Sequence, residues 1–145
     1  MKSALPVALA VLLAFERTVV GDVMVPWRSV DRLRLDWSNE RATDAAVRTT
    51  RTWLPVTDRL SRVRGVVHAI DLIDSLGGLG TEGGPELVVP VVLDPDEPVR
   101  TAIGRLAMNP AGIAVVMAGG KPIGLVGRHD LVRPLLGRAG PRPGA

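Results

Sequence analysis

Apolar positions along the chain change their period several times, and each change marks an element. Residues 4–15 are apolar almost without a break, and Val7, Val11 and Phe15 recur at helical spacing, which predicts a buried helix. Pro26 ends that stretch, and Val30, Leu33 and Leu35 then predict a short strand within residues 29–35. Ser38 or Asn39 can cap a helix reaching about Thr50, with a thin apolar face of Ala42, Ala45 and Ala46 suited to close packing on a sheet. Residues 53–57 and 63–67 read as strands around a polar turn at 58–62, and a helix follows from His68 to about Leu76. Residues 77–84 are glycine-rich and predict a flexible linker. The order then recurs. Leu87-Val88-Val89-Pro90 answers Val23-Met24-Val25-Pro26. Asp94-Pro95-Asp96-Glu97 predicts a helix start, with Asp94 as cap, Pro95 at the first helical position and Glu97 closing a capping box; that helix runs to about Met108. Strands over 113–117 and 122–126 flank a tight turn at Gly119-Gly120, and a helix from Arg128 ends before Gly137. The tail, 137–145, is Gly, Pro and Arg and predicts disorder.

The recurrence is visible residue by residue. Gly65-Val66-Val67-His68-Ala69-Ile70-Asp71-Leu72 returns as Gly124-Leu125-Val126-Gly127-Arg128-His129-Asp130-Leu131. A second copy tests the first, so the chain reads as one supersecondary unit made twice. One unit alone would bury little core, and two packed together solve that. Each unit also carries an aspartate at the same point.

Composition narrows the chemistry. The 145 residues are 46% apolar, which argues against disorder over most of the length. Cysteine and tyrosine are absent and there are two histidines, His68 and His129. That leaves few ways to build nucleophilic or general acid–base catalysis, so an enzyme is not expected. It excludes disulfides and thiolate metal sites and suits a reducing, cytoplasmic compartment. Two histidines at unlike repeat positions do not make a metal site either. The formal charge is +3, spread over both halves without a basic arm, so no nucleic-acid surface is indicated. The apolar run is too short to span a bilayer, which needs about 20 residues. It has the length of a signal-peptide core but runs straight into Glu16-Arg17 without a small-residue cleavage site, and the helix reading is preferred. The glycine-rich stretch lacks the Gly-Lys-Ser/Thr ending of a phosphate-cradling loop.

The doubled ending Gly-aliphatic-aliphatic-x-x-x-Asp-Leu, with this order of elements, resembles a pair of cystathionine-beta-synthase (CBS) domains, a Bateman module, over about residues 18–136. Thr18-Val19-Val20-Gly21-Asp22-Val23-Met24-Val25-Pro26 and Leu54-Pro55-Val56-Thr57-Asp58 resemble, more narrowly, the CBS region of CorC or haemolysin-C-like proteins. The resemblance implies an α/β (α+β) fold of two pseudo-symmetric β-α-β-β-α units packed through their sheets. Its parts would be an N-terminal apolar helix (1–17), a first CBS domain (18–76), a linker (77–85), a second CBS domain (86–136) and the tail (137–145). It implies a regulatory module binding an adenine nucleotide (AMP, ADP, ATP or S-adenosylmethionine) in the cleft between the domains, with no covalent cofactor, usually as a homodimer. A link to divalent-cation transport, and to the inner face of a membrane, would follow from a CorC-like setting. The other reading is a degenerate pair, a dimerisation or docking scaffold without nucleotide.

The candidate binding residues are Val25, Pro26, Arg51, Trp53, Leu54, Pro55, His68, Asp71, Val89, Ile113, Arg128 and Asp130. A carboxylate can accept both hydroxyls of a ribose cis-diol, and the resemblance gives that role to Asp71 and Asp130. The family's Thr or Ser, three residues before the aspartate, is His68 in one copy and Gly127 in the other. His68 could donate a hydrogen bond to phosphate or ribose. Trp53 could stack on a purine, or simply pack in the core. Arg51 and Arg128 could meet phosphate. Val25, Val89, Pro26 and Ile113 are carried by the resemblance alone. A bland reading stays open for both aspartates: at the third position of a helix, an acid is favourable for the helix itself.

Overall fold

The computed structural model describes residues 6–133, as two compact units. One unit takes residues up to Ser29 together with those from Val91 on; the other is Val30–Pro90. The tail at 137–145 and the expected end of the last helix near Gly137 lie outside the described residues.

The Val30–Pro90 unit runs β2 (Leu33–Arg34), α3 (Asn39–Arg48), β3 (Trp53–Thr57), β4 (Val63–His68) and α4 (Ala69–Asp74). The other runs β5 (Val91–Leu93), α5 (Val99–Ala107), β6 (Ile113–Ala118), β7 (Lys121–Gly127) and α6 (Arg128–Val132). It also carries α1 (Val7–Arg17), α2 (Val20–Val23) and β1 (Val25–Pro26). Each unit is thus β-α-β-β-α in a mixed α/β fold. β2 lies parallel to β3 as β5 lies parallel to β6, and each pair ends in an antiparallel hairpin. The registers coincide: Leu33 faces Val56 as Leu93 faces Val116, and a bulge follows Val56 and Val116 alike.

Local chemistry explains most of the boundaries. Ser38 accepts the Arg41 N–H at 3.2 Å and starts α3. Its Ala42 and Ala46 are buried against Leu33, Leu54, Val56 and Val67, where small side chains let the helix sit close to the sheet. The other core gathers Phe15 and Val20 with Leu93, Val99, Ala102, Leu106, Val116, Val126 and Leu131.

Four expectations needed correction. α5 begins at Val99 rather than at Pro95, because Pro98 bars Glu97 from the helical region. Asp94 instead closes a turn, accepting the Asp96 N–H at 2.9 Å. The strand expected at 29–35 shrinks to Leu33–Arg34, preceded by a short 3₁₀ turn at Trp27–Ser29. α1 is a helix, but Phe15 is its buried residue, while Val7, Leu9, Leu12 and Leu13 are exposed. The glycine-rich stretch expected to be flexible folds back on itself: Gly77 donates to Gly83, Ser75 Oγ to Gly77 O, and Leu79 is buried in the core.

The strand that leads into each repeat pairs outside its own repeat. β1 pairs with β7, Val25 opposite Leu125, and Val88 bridges to Val66 on β4. Val66 and Leu125 are equivalent residues of the repeat, so Val88, not Val89, is the counterpart of Val25. This explains the first residue of the repeated motif. A Cβ on Gly124 would run into the Met24 side chain, and one on Gly65 would stand 3.0 Å from Leu87 Cβ. Glycine leaves room for the incoming strand.

Candidate functional site

In the Val30–Pro90 unit the β3–β4 ladder sets Trp53 opposite His68. Paired residues share a face of the sheet, and the two rings meet edge to face with centroids 5.0 Å apart and planes at 79°. His68 ends β4 and caps α4: its Nδ1 accepts the Ile70 N–H at 3.2 Å. That bond requires Nδ1 to be unprotonated, which puts the ring proton of the neutral form on Nε2. The start of α4 is tied down by the Ala69 N–H, which donates to Thr52 O at 2.9 Å. Asp71 stands in the first turn of α4, exposed, and makes no hydrogen bond or ion pair with any described residue. Histidine, tryptophan and an unengaged carboxylate are therefore held by one hairpin and the turn after it.

The remaining residues of this group differ in what they can offer. Leu54 and Pro55 are buried in the β3–β4 ladder, so neither side chain is offered to a ligand. Arg51 is half-buried; its N–H donates to Thr49 Oγ1 at 3.1 Å, and its guanidinium forms no ion pair with described residues. Val89 is exposed, one residue beyond the Val88–Val66 bridge.

The equivalent place in the other unit is chemically poorer. Ile113 faces Gly127 where Trp53 faces His68, so neither ring is present. Asp130 is occupied: its Oδ2 accepts the Gly127 N–H at 2.9 Å, and its Oδ1 lies 3.4 Å from Arg133. The helix-capping role left open for both aspartates is thus filled by Asp130 and not by Asp71. Arg133, three residues on, is a helical i,i+3 partner visible in the spacing but not singled out above. Arg128 is exposed and its guanidinium lies against Gly112, where a Cβ would collide with it. Val25 and Pro26 sit in β1 against Leu125 and Gly124. Among the described residues no His, Asp and Glu cluster could hold a metal ion, and no helix is long and apolar enough to cross a membrane.

Residues 88–137 match the family model of the CBS domain. No curated protein matches the chain significantly in sequence. Among solved structures it is similar to the CBS domain of the bacterial CNNM/CorC family Mg2+ transporter in complex with ATP, at 19% identity over 91% of this chain and 96% of that one, TM-score 0.77. It is similar to a haemolysin-like protein containing a CBS domain from Oenococcus oeni PSU, at 18% identity, 89% and 98% coverage, TM-score 0.75. It is also similar to the CBS-pair protein CBSX2 from Arabidopsis thaliana, at 26% identity, 82% and 94% coverage, TM-score 0.67, a protein also solved in complex with AMP. The chain has the fold of a pair of CBS domains. Within that class it resembles the CBS regions of CorC and haemolysin-like proteins.

Proposed function

We propose that this chain is a regulatory, non-catalytic module that binds an adenine nucleotide, and that the Val30–Pro90 unit holds the working site. The observation that carries the reading is Asp71. Its carboxylate is exposed and spends none of its acceptor capacity on the protein, beside a ring pair of Trp53 and His68. A carboxylate so placed can take both hydroxyls of a ribose, the indole offers a face or edge to a purine, and His68 Nε2–H is left to donate to ribose or phosphate. Solved relatives of the same fold were captured with ATP and with AMP, which supports the ligand class. Within the Val30–Pro90 unit Arg51 is the candidate phosphate partner and Val89 a backbone partner, whereas Arg128, Val25 and Ile113 belong to the other unit. Regulation of divalent-cation transport is the setting suggested by the CorC-like relatives.

Asp130 favours a second reading for its own unit. Capped by Gly127 N–H and paired with Arg133, it is spent on α6, and that half acts as scaffold. Calorimetric titration with AMP, ATP and S-adenosylmethionine tests both. The expected result is one site per chain, lost in Asp71→Ala and kept in Asp130→Ala. No heat at millimolar ligand would leave the scaffold reading for the whole chain, as a dimerisation or docking element.

A further inference from the structure

The turn between β3 and β4 does more than reverse the chain. Its counterpart between β6 and β7 does the same job with Gly119-Gly120 alone. The β3–β4 turn spends residues 58–62, Asp-Arg-Leu-Ser-Arg, and is closed by hydrogen bonds of its own. Asp58 Oδ1 accepts the N–H groups of Leu60 (2.9 Å) and Arg62 (3.0 Å), and its Oδ2 accepts Arg62 Nε (2.9 Å). Asp58 N–H donates to Arg62 O at 2.9 Å and Ser61 N–H to Asp58 O at 3.0 Å. Ser61 has φ of 62°, and among the described residues it alone is non-glycine with positive φ. A serine held in the left-handed region is uncommon, and such strain collects where a loop has a task.

The tip displays Leu60, 72% exposed, between Arg59 and Arg62. Arg34 and Arg59 share Asp36, at 3.0 and 3.5 Å, and Arg62 and Arg64 share Asp58, at 2.9 and 3.6 Å. Four guanidinium groups therefore surround two carboxylates. The aspartates engage the guanidinium groups, the arginine side chains stay exposed, and an excess of positive charge remains. A lone exposed leucine needs no explanation. A leucine at the apex of a strained, hydrogen-bonded loop whose counterpart is two glycines, with Arg59 and Arg62 close to it in the chain, does.

We propose that this turn is a docking element for an acidic segment of another protein, with Leu60 as the apolar anchor and Arg34, Arg59, Arg62 and Arg64 receiving carboxylates. Arginine is the side chain whose fork matches a carboxylate, and oriented charge sets partner choice. A nucleic acid fits less well, because the apolar apex has no counterpart on a phosphate track and Asp36 and Asp58 would face it. The site is separate from the proposed nucleotide site and stands or falls without it.

The test is selection from a random peptide display library against the whole chain, with counter-selection on Arg59→Glu/Leu60→Ser. Recovered peptides are then measured by fluorescence anisotropy. The expected peptides are rich in Asp and Glu around an apolar residue, bind more weakly as salt rises, and lose about tenfold or more in affinity in the double variant and in Leu60→Ser alone. Matching unfolding temperatures for wild type and variants certify the comparison. Selection that returns no variant-sensitive acidic peptide overturns the proposal. So does equal, Arg59-dependent binding of single-stranded DNA or phosphatidylserine vesicles, which would make the turn a general basic surface.

Discussion

Single side chains decide what each copy of the repeat can do. Asp71 and Asp130 are the same residue of the same motif, yet Asp130 is bound to Gly127 N–H and Arg133 while Asp71 is unengaged. Replacing Asp130 by alanine removes a cap, at a cost of about 1 kcal/mol in unfolding free energy. Replacing Asp71 should cost little stability and abolish nucleotide heat. A pair of denaturation curves and titrations separates the two roles. Asp58 carries a pH signature. Burial works to raise its carboxyl, but hydrogen bonds from the Arg62 N–H and side chain and the Leu60 N–H, with the Arg62 charge, prevail and hold it below its ordinary value. Its folded-state pKa is therefore depressed below the unfolded value of about 3.9. The stability it gives is complete above that pH and fades as pH falls through the lower, folded value. Asp58→Asn should be less stable than wild type at neutral pH, with the gap closing on acidification. A gap that is constant with pH, read from urea curves, would contradict this account. The motif pointed to both aspartates from the sequence; only the contacts around them set them apart, since Arg133 and the ladder partners of Gly127 and His68 are not read from the motif alone.

Elements follow their local codes wherever the code is local. Ser38 caps α3, and β3, β4, β6, β7 and the starts of the helices after them fall within a residue of where the apolar runs and turns placed them. The capping box expected at Asp94–Glu97 failed for an equally local reason, Pro98, whose ring restricts the residue before it. What sequence could not assign was the purpose of the repeated glycine. Gly65 and Gly124 accept the passage of Leu87-Val88 and Met24-Val25, contacts made with strands distant in sequence. Gly124 is the stricter of the two. Its Cβ would meet Met24 Sδ and Cγ and stand 3.0 Å from Val25 O, so backbone as well as side chain is in the way. Gly124→Ala is expected to destabilise by about 1–3 kcal/mol, as overpacking does. Combining it with Met24→Ala, which empties the space, should recover part of the loss. Additive destabilisation in that double-mutant cycle would mean that Met24 and Gly124 do not meet.

At the scale of the molecule, sequence order and compact units part company. The repeats follow one another along the chain, but Phe15 and Val20, at its start, are buried with Leu93, Val99, Leu106 and Leu131. Val88, which leads into the second repeat, bridges to β4 of the first. No pattern of apolar residues within either repeat reveals this, because a two-residue strand has the same appearance wherever it pairs. The exposed side of α1 misled for a related reason. Val7, Val11 and Phe15 share helical spacing, yet Val7 is exposed, Val11 half-buried and Phe15 buried, so only the packing shows how much of that face is inward. The exchange has a measurable consequence. Phe15→Ala deletes a buried aromatic and is expected to cost about 3–5 kcal/mol. Hydrogen exchange should then show amide protection falling most in β5, β6 and β7, although Phe15 precedes the first repeat. If units followed sequence order, the loss would fall on β2, β3 and β4 instead. A first repeat ending at residue 76 would likewise lack Val88 and Leu79, and its β4 would be left with an unpaired backbone at Val66. Such a fragment should fold poorly, whereas extension to Pro90 restores both residues and with them a cooperative transition.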